Sequence, residues 1–339
     1  MKKAMAGLFV LLLLPCTSQA QLFEPGNVIF ADPFYSPDGQ IVELSITGNE
    51  AEVVNVVRWP LDDTDRRRAL GLDVDPNGNV WVGLTAAFGD DSDFPEGIGE
   101  ILRIDSEGNQ NIWMTDIIKV TFLTAIGPDE VIVNSNVADG NLAFGYKIEG
   151  DQMTGVTEFI KSGYGEALKL PDGRILMGDN AAPGIHVYDE TGGEPTGLFS
   201  EVANAEGEAR VVRSMTYNEE IGAVIASLSD QSTLVRVNMD GEVEEEYNAV
   251  EDGFTGLWGI AQIPGTTQFI AANHDVAELA NQFGIFDAND ISAGPRLIEI
   301  TSGFTEAGLD EGTAFRSFFN LAVVPGAEFP TDVETWQVY

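Results

Sequence analysis

The chain has 339 residues, with 17 Lys and Arg against 55 Asp and Glu for a formal net charge of −38. Such a surface repels nucleic acid and anionic membrane faces. The acids run the whole length of the chain, which argues against a disordered acidic tail, and the single cysteine, Cys16, excludes an internal disulfide.

The first twenty residues read as a leader. Lys2 and Lys3 form a basic start, Gly7 to Leu14 is a short apolar run, and Ser18-Gln19-Ala20 offers a small-x-small cleavage pattern. The run is too short to span a bilayer. Pro15 stands where a lipid-modified cysteine would need a small residue before it. Cleavage after Ala20 is therefore expected, which removes Cys16 and sends a monomer with no membrane insertion to the periplasm or outside the cell. Loss of Lys2 and Lys3 makes the mature chain still more acidic. That excess goes well beyond what solubility needs and fits a saline milieu, where salt shortens the range of self-repulsion.

After the leader, NVIFADP, QIVELSITG and EAEVVNVV read as three strands. Arg66, Arg67 and Arg68 follow Asp62, Asp63 and Asp65, either pairing with them or forming an anion clamp. Leu70 to Gly83, LGLDVDPNGNVWVG, is an alternating strand, a tight turn and a second alternating strand, the signature of a hairpin. Phe88 to Gly99, FGDDSDFPEGIG, is an acidic loop without EF-hand spacing. The hairpin returns as FLTAIGPDEVIVNSN, EALKLPDGRILMGD, SMTYNEEIGAVIASL and GIAQIPGTTQFIAAN. Most copies lead into a second strand–turn–strand, such as GEILRIDSEGNQNIWM, GIHVYDETGGEPTGLF or TLVRVNMDGEVEEEY. His186, inside GIHVYD, reads as structural, and Ala277 to Gln282 as a single helical turn. NLAVVPG from Asn320 is a first strand without successors, whereas the three N-terminal strands lack a first strand.

Four strands per unit is the composition of a propeller blade. Equivalent positions Leu72, Leu123, Ala167, Met215, Ile260 and Leu321 are spaced by 51, 44, 48, 45 and 61 residues, blade-sized steps. The expected fold is an all-β, six-bladed β-propeller over residues 21–326. Its C-terminal strand completes the N-terminal blade, and residues 327–339 form a tail outside the repeat.

The hairpin LDVDPNGNVWVG followed by GEILRIDSEGNQ resembles the NHL-repeat, gluconolactonase/regucalcin and virginiamycin B lyase group of propellers. That group includes calcium-dependent sugar-lactone hydrolases, a magnesium-dependent lyase and pure binding modules. By this resemblance Glu166, in GYGEALKLPDG, matches the metal-binding Glu of the lactonases. The Asn-Gly pair of those enzymes is replaced here by Arg213-Ser214 and Trp258-Gly259, and Asn320 lacks the following glycine.

Residues at the starts of first strands and the ends of second strands should crown one mouth of the channel. Glu166, Asp32, Asp179 and Asn320 are the candidate ligands there for Ca²⁺, a hard cation that takes oxygen donors. Asn136, Asn180, Arg213, Trp258 and Asn273 are candidate substrate contacts. Asp and Asn after a strand also cap turns, so a turn-capping role stays open for each. His274 and the Asp179 carboxylate are the candidate acid–base groups. Three functions compete: binding of a small-molecule or protein ligand at the mouth, Ca²⁺-dependent hydrolysis of a sugar lactone or ester, and metal-assisted lyase chemistry.

If the charge reading holds, the melting temperature should climb between low and molar NaCl as salt screens the mutual repulsion of the acids. A flat profile in calorimetry would contradict it.

Overall fold

The computed structural model describes residues 22–32, 40–58, 67–86, 99–115, 120–135, 142–150, 152–161, 165–179, 182–203, 207, 210–228, 232–254, 256–273, 281–311, 313, 315 and 320–326. Strands β1 (Val28–Asp32), β2 (Gln40–Thr47) and β3 (Glu50–Val57) form an antiparallel meander. Four antiparallel four-stranded sheets follow. The first holds β4 (Arg67–Val74), β5 (Val80–Ala86), β6 (Glu100–Ile104) and β7 (Gln110–Met114). The second holds β8 (Val120–Gly127), β9 (Glu130–Ser135), β10 (Leu142–Glu149) and β11 (Gln152–Ile160). Next come β12 (Ala167–Lys169), β13 (Ile175–Gly178), β14 (Ile185–Tyr188) and β15 (Gly197–Ser200). The fourth holds β16 (Val212–Asn218), β17 (Ala223–Leu228), β18 (Thr233–Asn238) and β19 (Val243–Asn248). The last strands are β20 (Leu257–Gln262), β21 (Gln268–Asn273), β22 (Gln282–Asp287), β23 (Arg296–Ser302) and β24 (Leu321–Val323). Short 3-10 turns at Ala249–Asp252 and Ile291–Ala293 are the helical elements among the described residues, and no helix there is long and apolar enough to cross a membrane.

The last five strands and the first three share one eight-stranded sheet, in the order β20-β21-β22-β23-β3-β2-β1-β24. Two pairings distant in sequence build it. β24 runs antiparallel to β1 from Val28↔Val323 to Phe30↔Leu321, so the two ends of the chain are joined as the unfinished N-terminal unit requires. β23 runs parallel to β3 at Glu299↔Glu50 and Ile300↔Ala51, a junction with no local sequence signal.

Amino-acid pattern explains position within each sheet. β17, AVIASL, is buried at every residue. A middle strand flanked by other sheets on both faces needs apolar or small side chains on both. β11 and β19 are mostly exposed or half-exposed, and Glu244, Glu245 and Glu246 on β19 keep that outer edge charged and unattractive to other strands.

Apolar clusters lie between successive sheets. Ile29 and Ile41 meet Leu72 and Val82; Trp81 and Trp113 meet Leu123 and Val133; Ile132 and Phe159 meet Ile175 and Met177. Leu176 and Ile185 then meet Val224 and Val235, and Ile225 and Leu234 meet Phe269 and Phe286. Phe283 and Ile270 finally meet Phe30 and Val42, returning the packing to the sheet where it began. The arrangement is that of a propeller. Glycine permits the closest approaches. A Cβ on Gly71 would stand 2.7 Å from the Leu123 backbone N, and one on Gly178 would stand 2.5 Å from the Val212 carbonyl oxygen.

The innermost strands β4, β8, β12, β16, β20 and β24 leave backbone groups without a strand partner on the channel side, and side chains from neighbouring sheets satisfy several of them. Asp73 Oδ2 accepts from Ala125 N at 2.8 Å, and Thr124 Oγ1 donates to Ala167 O at 2.9 Å. Ser214 Oγ accepts from Ile260 N, and Thr216 Oγ1 from Gln262 N, both at 3.2 Å. Asn320 Nδ2 donates to Leu70 O at 2.9 Å across the chain closure.

Truncation before Asn320 removes this bond together with β24. The product should lose cooperative melting, and wild-type cooperativity in that truncation would contradict the closure. Asn320→Ala alone leaves the buried Leu70 carbonyl without this donor and should cost about 1–3 kcal/mol in denaturant titration.

Candidate functional site

The innermost strands surround a cavity of about 680 Å³. Asp73 of β4, Thr124 of β8, Glu166 just ahead of β12, Thr216 of β16, Gln262 of β20 and Leu321 of β24 all line it. Pro76, Pro171, Pro264 and Pro325, at or near the turns that follow the inner strands, line its rim. The cavity thus reaches the end of the channel opposite the mouth that the sequence singled out.

Two acids stand in its wall. Asp73 Oδ1 accepts from Val74 N at 2.8 Å while Oδ2 takes the Ala125 N–H of the next sheet. Burial pushes its carboxyl up from 3.8 to about 7; the two backbone bonds oppose the rise and the Asp75 charge adds to it. Glu166 accepts from the Ser214 hydroxyl and from the Met215 N–H. Burial raises its carboxyl well above the ordinary 4.5, against the Ser214 bond and with the charge of Asp73 adding to the effect. A carboxyl raised in this way can donate a hydrogen bond or a proton when neutral and can pair with a cation when ionised.

Towards the other end, just after β11, lies Lys161. Only 4% of it is exposed, and its Nζ donates to the Gly165 carbonyl at 3.4 Å. The Asn134 amide, also buried, donates to the same carbonyl. Burial lowers the Lys161 ammonium from 10.5 to about 7; the Asp179 charge opposes that fall and Arg213 reinforces it. Arg213 also lies over the Trp258 ring at 5.2 Å, and Trp258 leans on Phe122 at 6.5 Å.

Of the residues expected at the mouth, Asn320 lies beside the end of β1, its carbonyl accepting from Ala31 N at 3.2 Å. Glu166 alone of the four proposed metal ligands lines the cavity. Asp32, buried at the end of β1, accepts from Gln40 Nε2 at 3.1 Å. Asp179 Oδ1 accepts from Ala182 N at 3.1 Å, the turn-capping alternative. Asn320 bridges to Leu70. Among the described residues no group of three or more His, Cys, Asp and Glu comes together to hold a metal ion. Arg213 and Trp258 pack on each other. Asn273 ends β21. Asn136, Asn180, His274, Arg66 and most of the Phe88–Gly99 loop lie outside the described residues. His186 sits within β14, its Nε2 2.6 Å from Ala182 O.

Asp73 and Lys161 are absent from the residues chosen by sequence. Asp73 had a readable signal. It is a carboxylate in an inner strand where the repeat otherwise places Thr124, Leu168, Thr216, Ala261 and Ala322. Lys161 had none, since it follows an outer strand and only packing turns it inward.

The two shifts predict opposite pH slopes. Asp73 binds its proton more tightly when folded, so its contribution to stability falls as pH rises from about 4 to about 7. Lys161 binds its proton less tightly when folded, so its contribution rises between about 7 and 10.5. Asp73→Asn should remove about 2–4 kcal/mol of the first decline in pH-dependent denaturation, and Lys161→Met should flatten the second rise. Unchanged slopes in both variants would contradict the placement of these groups.

No family model and no curated protein matches the sequence. Solved structures do match in shape. A chain from the crystal structure of a nidogen/laminin complex superposes with a TM-score of 0.59 at 11% identity, covering 88% of this chain and 98% of that one. A protein of unknown function from Bacteroides caccae gives 0.55 at 11% identity, with 89% and 99% covered. A putative 6-phosphogluconolactonase from Bacteroides fragilis gives 0.50 at 13% identity, with 83% and 82% covered. At these identities the likeness establishes the fold alone. The chain is a β-propeller.

Proposed function

We propose that the protein is an exported six-bladed propeller whose axial channel binds a ligand, either a small molecule or a segment of another protein. The carrying observation is the cavity, lined from every innermost strand and within the range of small-molecule pockets, about 300–1,000 Å³. The count of six rests on the repeat spacing and on taking the eight-stranded sheet as two blades joined through β23 and β3. Export rests on the leader-like start, Lys2 to Ala20.

A second reading, hydrolysis of a lactone or ester, is favoured by Glu166. Its carboxyl, raised by burial, accepts from the Ser214 hydroxyl in the cavity wall, and the Bacteroides fragilis neighbour is named a putative 6-phosphogluconolactonase. Calcium is the ion to test for this reading. The described residues do not gather the carboxylates that such an ion needs, so no step is routed through it.

Thermal melting with Ca²⁺ and with chelator, beside a lactone and ester hydrolysis screen, separates the two. The binding reading expects no turnover and a melting point indifferent to calcium, because only a bound metal stabilises by mass action. Turnover that is lost in Glu166→Gln would replace it with the hydrolase reading. His274→Ala, run in parallel, should then lower turnover only if this histidine serves as the acid–base group.

A further inference from the structure

The chemistry of the cavity wall says what kind of ligand it suits, granted that the channel is the ligand site. Much of its wall is apolar, built from Leu72, Leu123, Leu168, Met215 and Ile260. Several polar side chains of the lining are already engaged. Thr124 donates to Ala167 O, Thr216 accepts from Gln262 N, and the Gln262 amide donates to Ile263 O and Thr266 O. Spare hydrogen-bonding capacity remains on the Asp73 and Glu166 carboxyls, since each carboxylate oxygen can accept more than one bond. Asp75, Glu219 and Glu220 add acid at the rim. Lys169 is the one basic residue among the described residues of the lining, and its ammonium lies 2.9 Å from Glu190.

Acidic side chains are everywhere on this chain and mean little singly. These two differ because they stand inside a cavity with apolar walls and without a basic partner among its lining residues. An anion, phosphorylated sugars included, would add negative charge beside two acids whose ionisation burial already disfavours, whereas a cation would favour it. A hard divalent ion finds two carboxyls, which is fewer than its oxygen ligands require. An organic ammonium meets every condition: it brings positive charge, N–H donors and a hydrocarbon body for the leucine and methionine walls.

We propose that the axial cavity is a site for an aliphatic amine, its ammonium seated against Asp73 and Glu166 and its chain lying on Leu72, Leu123, Leu168, Met215 and Ile260.

The test is calorimetric titration of the full chain with hexylamine, 1-hexanol and hexanoate in molar NaCl, where attraction to the general surface charge is screened. The expected result is saturable binding of one hexylamine per chain, with the alcohol and the carboxylate weaker by about tenfold or more. Glu166→Gln and Asp73→Asn should each weaken hexylamine by about tenfold while leaving hexanol unchanged. Glu166→Gln retains an oxygen for the Ser214 hydroxyl, so it remains informative if Asp73→Asn fails to fold; melting curves check both variants. Hexanol binding as tightly as hexylamine would overturn the amine assignment yet leave the channel as a ligand site. Failure of all three to bind overturns the amine assignment, while the channel-binding reading, which expects no turnover in the lactone screen, is judged by that screen. Hexylamine binding that neither variant weakens would also overturn the assignment, by placing the amine elsewhere on the surface.

Discussion

Every innermost strand of this ring has one side without a strand partner, and the fold depends on how that side is satisfied. Backbone N–H and C=O groups cannot be left buried and unpaired without a cost of about 1–3 kcal/mol each. Here the partner is often a side chain reaching from the neighbouring sheet: Asp73 to Ala125, Thr124 to Ala167, Ser214 to Ile260, Asn320 to Leu70. These bonds run around the channel in the direction that the apolar clusters alone would leave free to slide. They set the register of one sheet against the next.

That solution has a chemical consequence. Asp73 satisfies a backbone N–H as a threonine or serine could, but it carries an ionisable group into a cavity wall. Glu166 does likewise towards Ser214 and Met215. Each acid is therefore a staple between sheets and a source of reactivity in the channel at once. Substituting either touches both roles, which makes the neutral, shape-conserving amides more informative than alanine. Lys161 is a counterpart, joining the end of β11 to the Gly165 carbonyl ahead of β12 while holding an amine out of water.

The net charge acts on a larger scale. With so few Lys and Arg, most surface acids have no cationic partner, and exposed pairs such as Lys147–Glu149 contribute little. Arg236 is an exception, bonding Glu244 and Glu245 of β19 and the carbonyls of Ala288 and Asn289 beyond β22, so that one guanidinium ties two sheets. The same field enriches cations near the protein, which bears on what can reach an acidic channel.

Alternation on either side of Pro-Asn-Gly, Pro-Asp-Gly and their relatives was enough to predict the hairpins, because strand pairing across a two-to-four-residue turn is a local event. LGLDVDPNGNVWVG became β4 and β5 in the register Val74↔Val80. Counting strands per repeat was enough to predict that the C-terminal NLAVVPG joins the N-terminal meander, since a lone inner strand and a sheet lacking one leave two edges to be matched. The parallel contact of β23 with β3, the burial of Lys161 and the place of Asp73 beside Glu166 belong to the tertiary structure. Each depends on how far one sheet rotates against the next, and that rotation is set by side-chain packing between residues tens of positions apart. The chain's strand grammar and its charge are properties of neighbouring residues and of composition, legible without a fold; the chemistry of the channel arises only when the sheets meet.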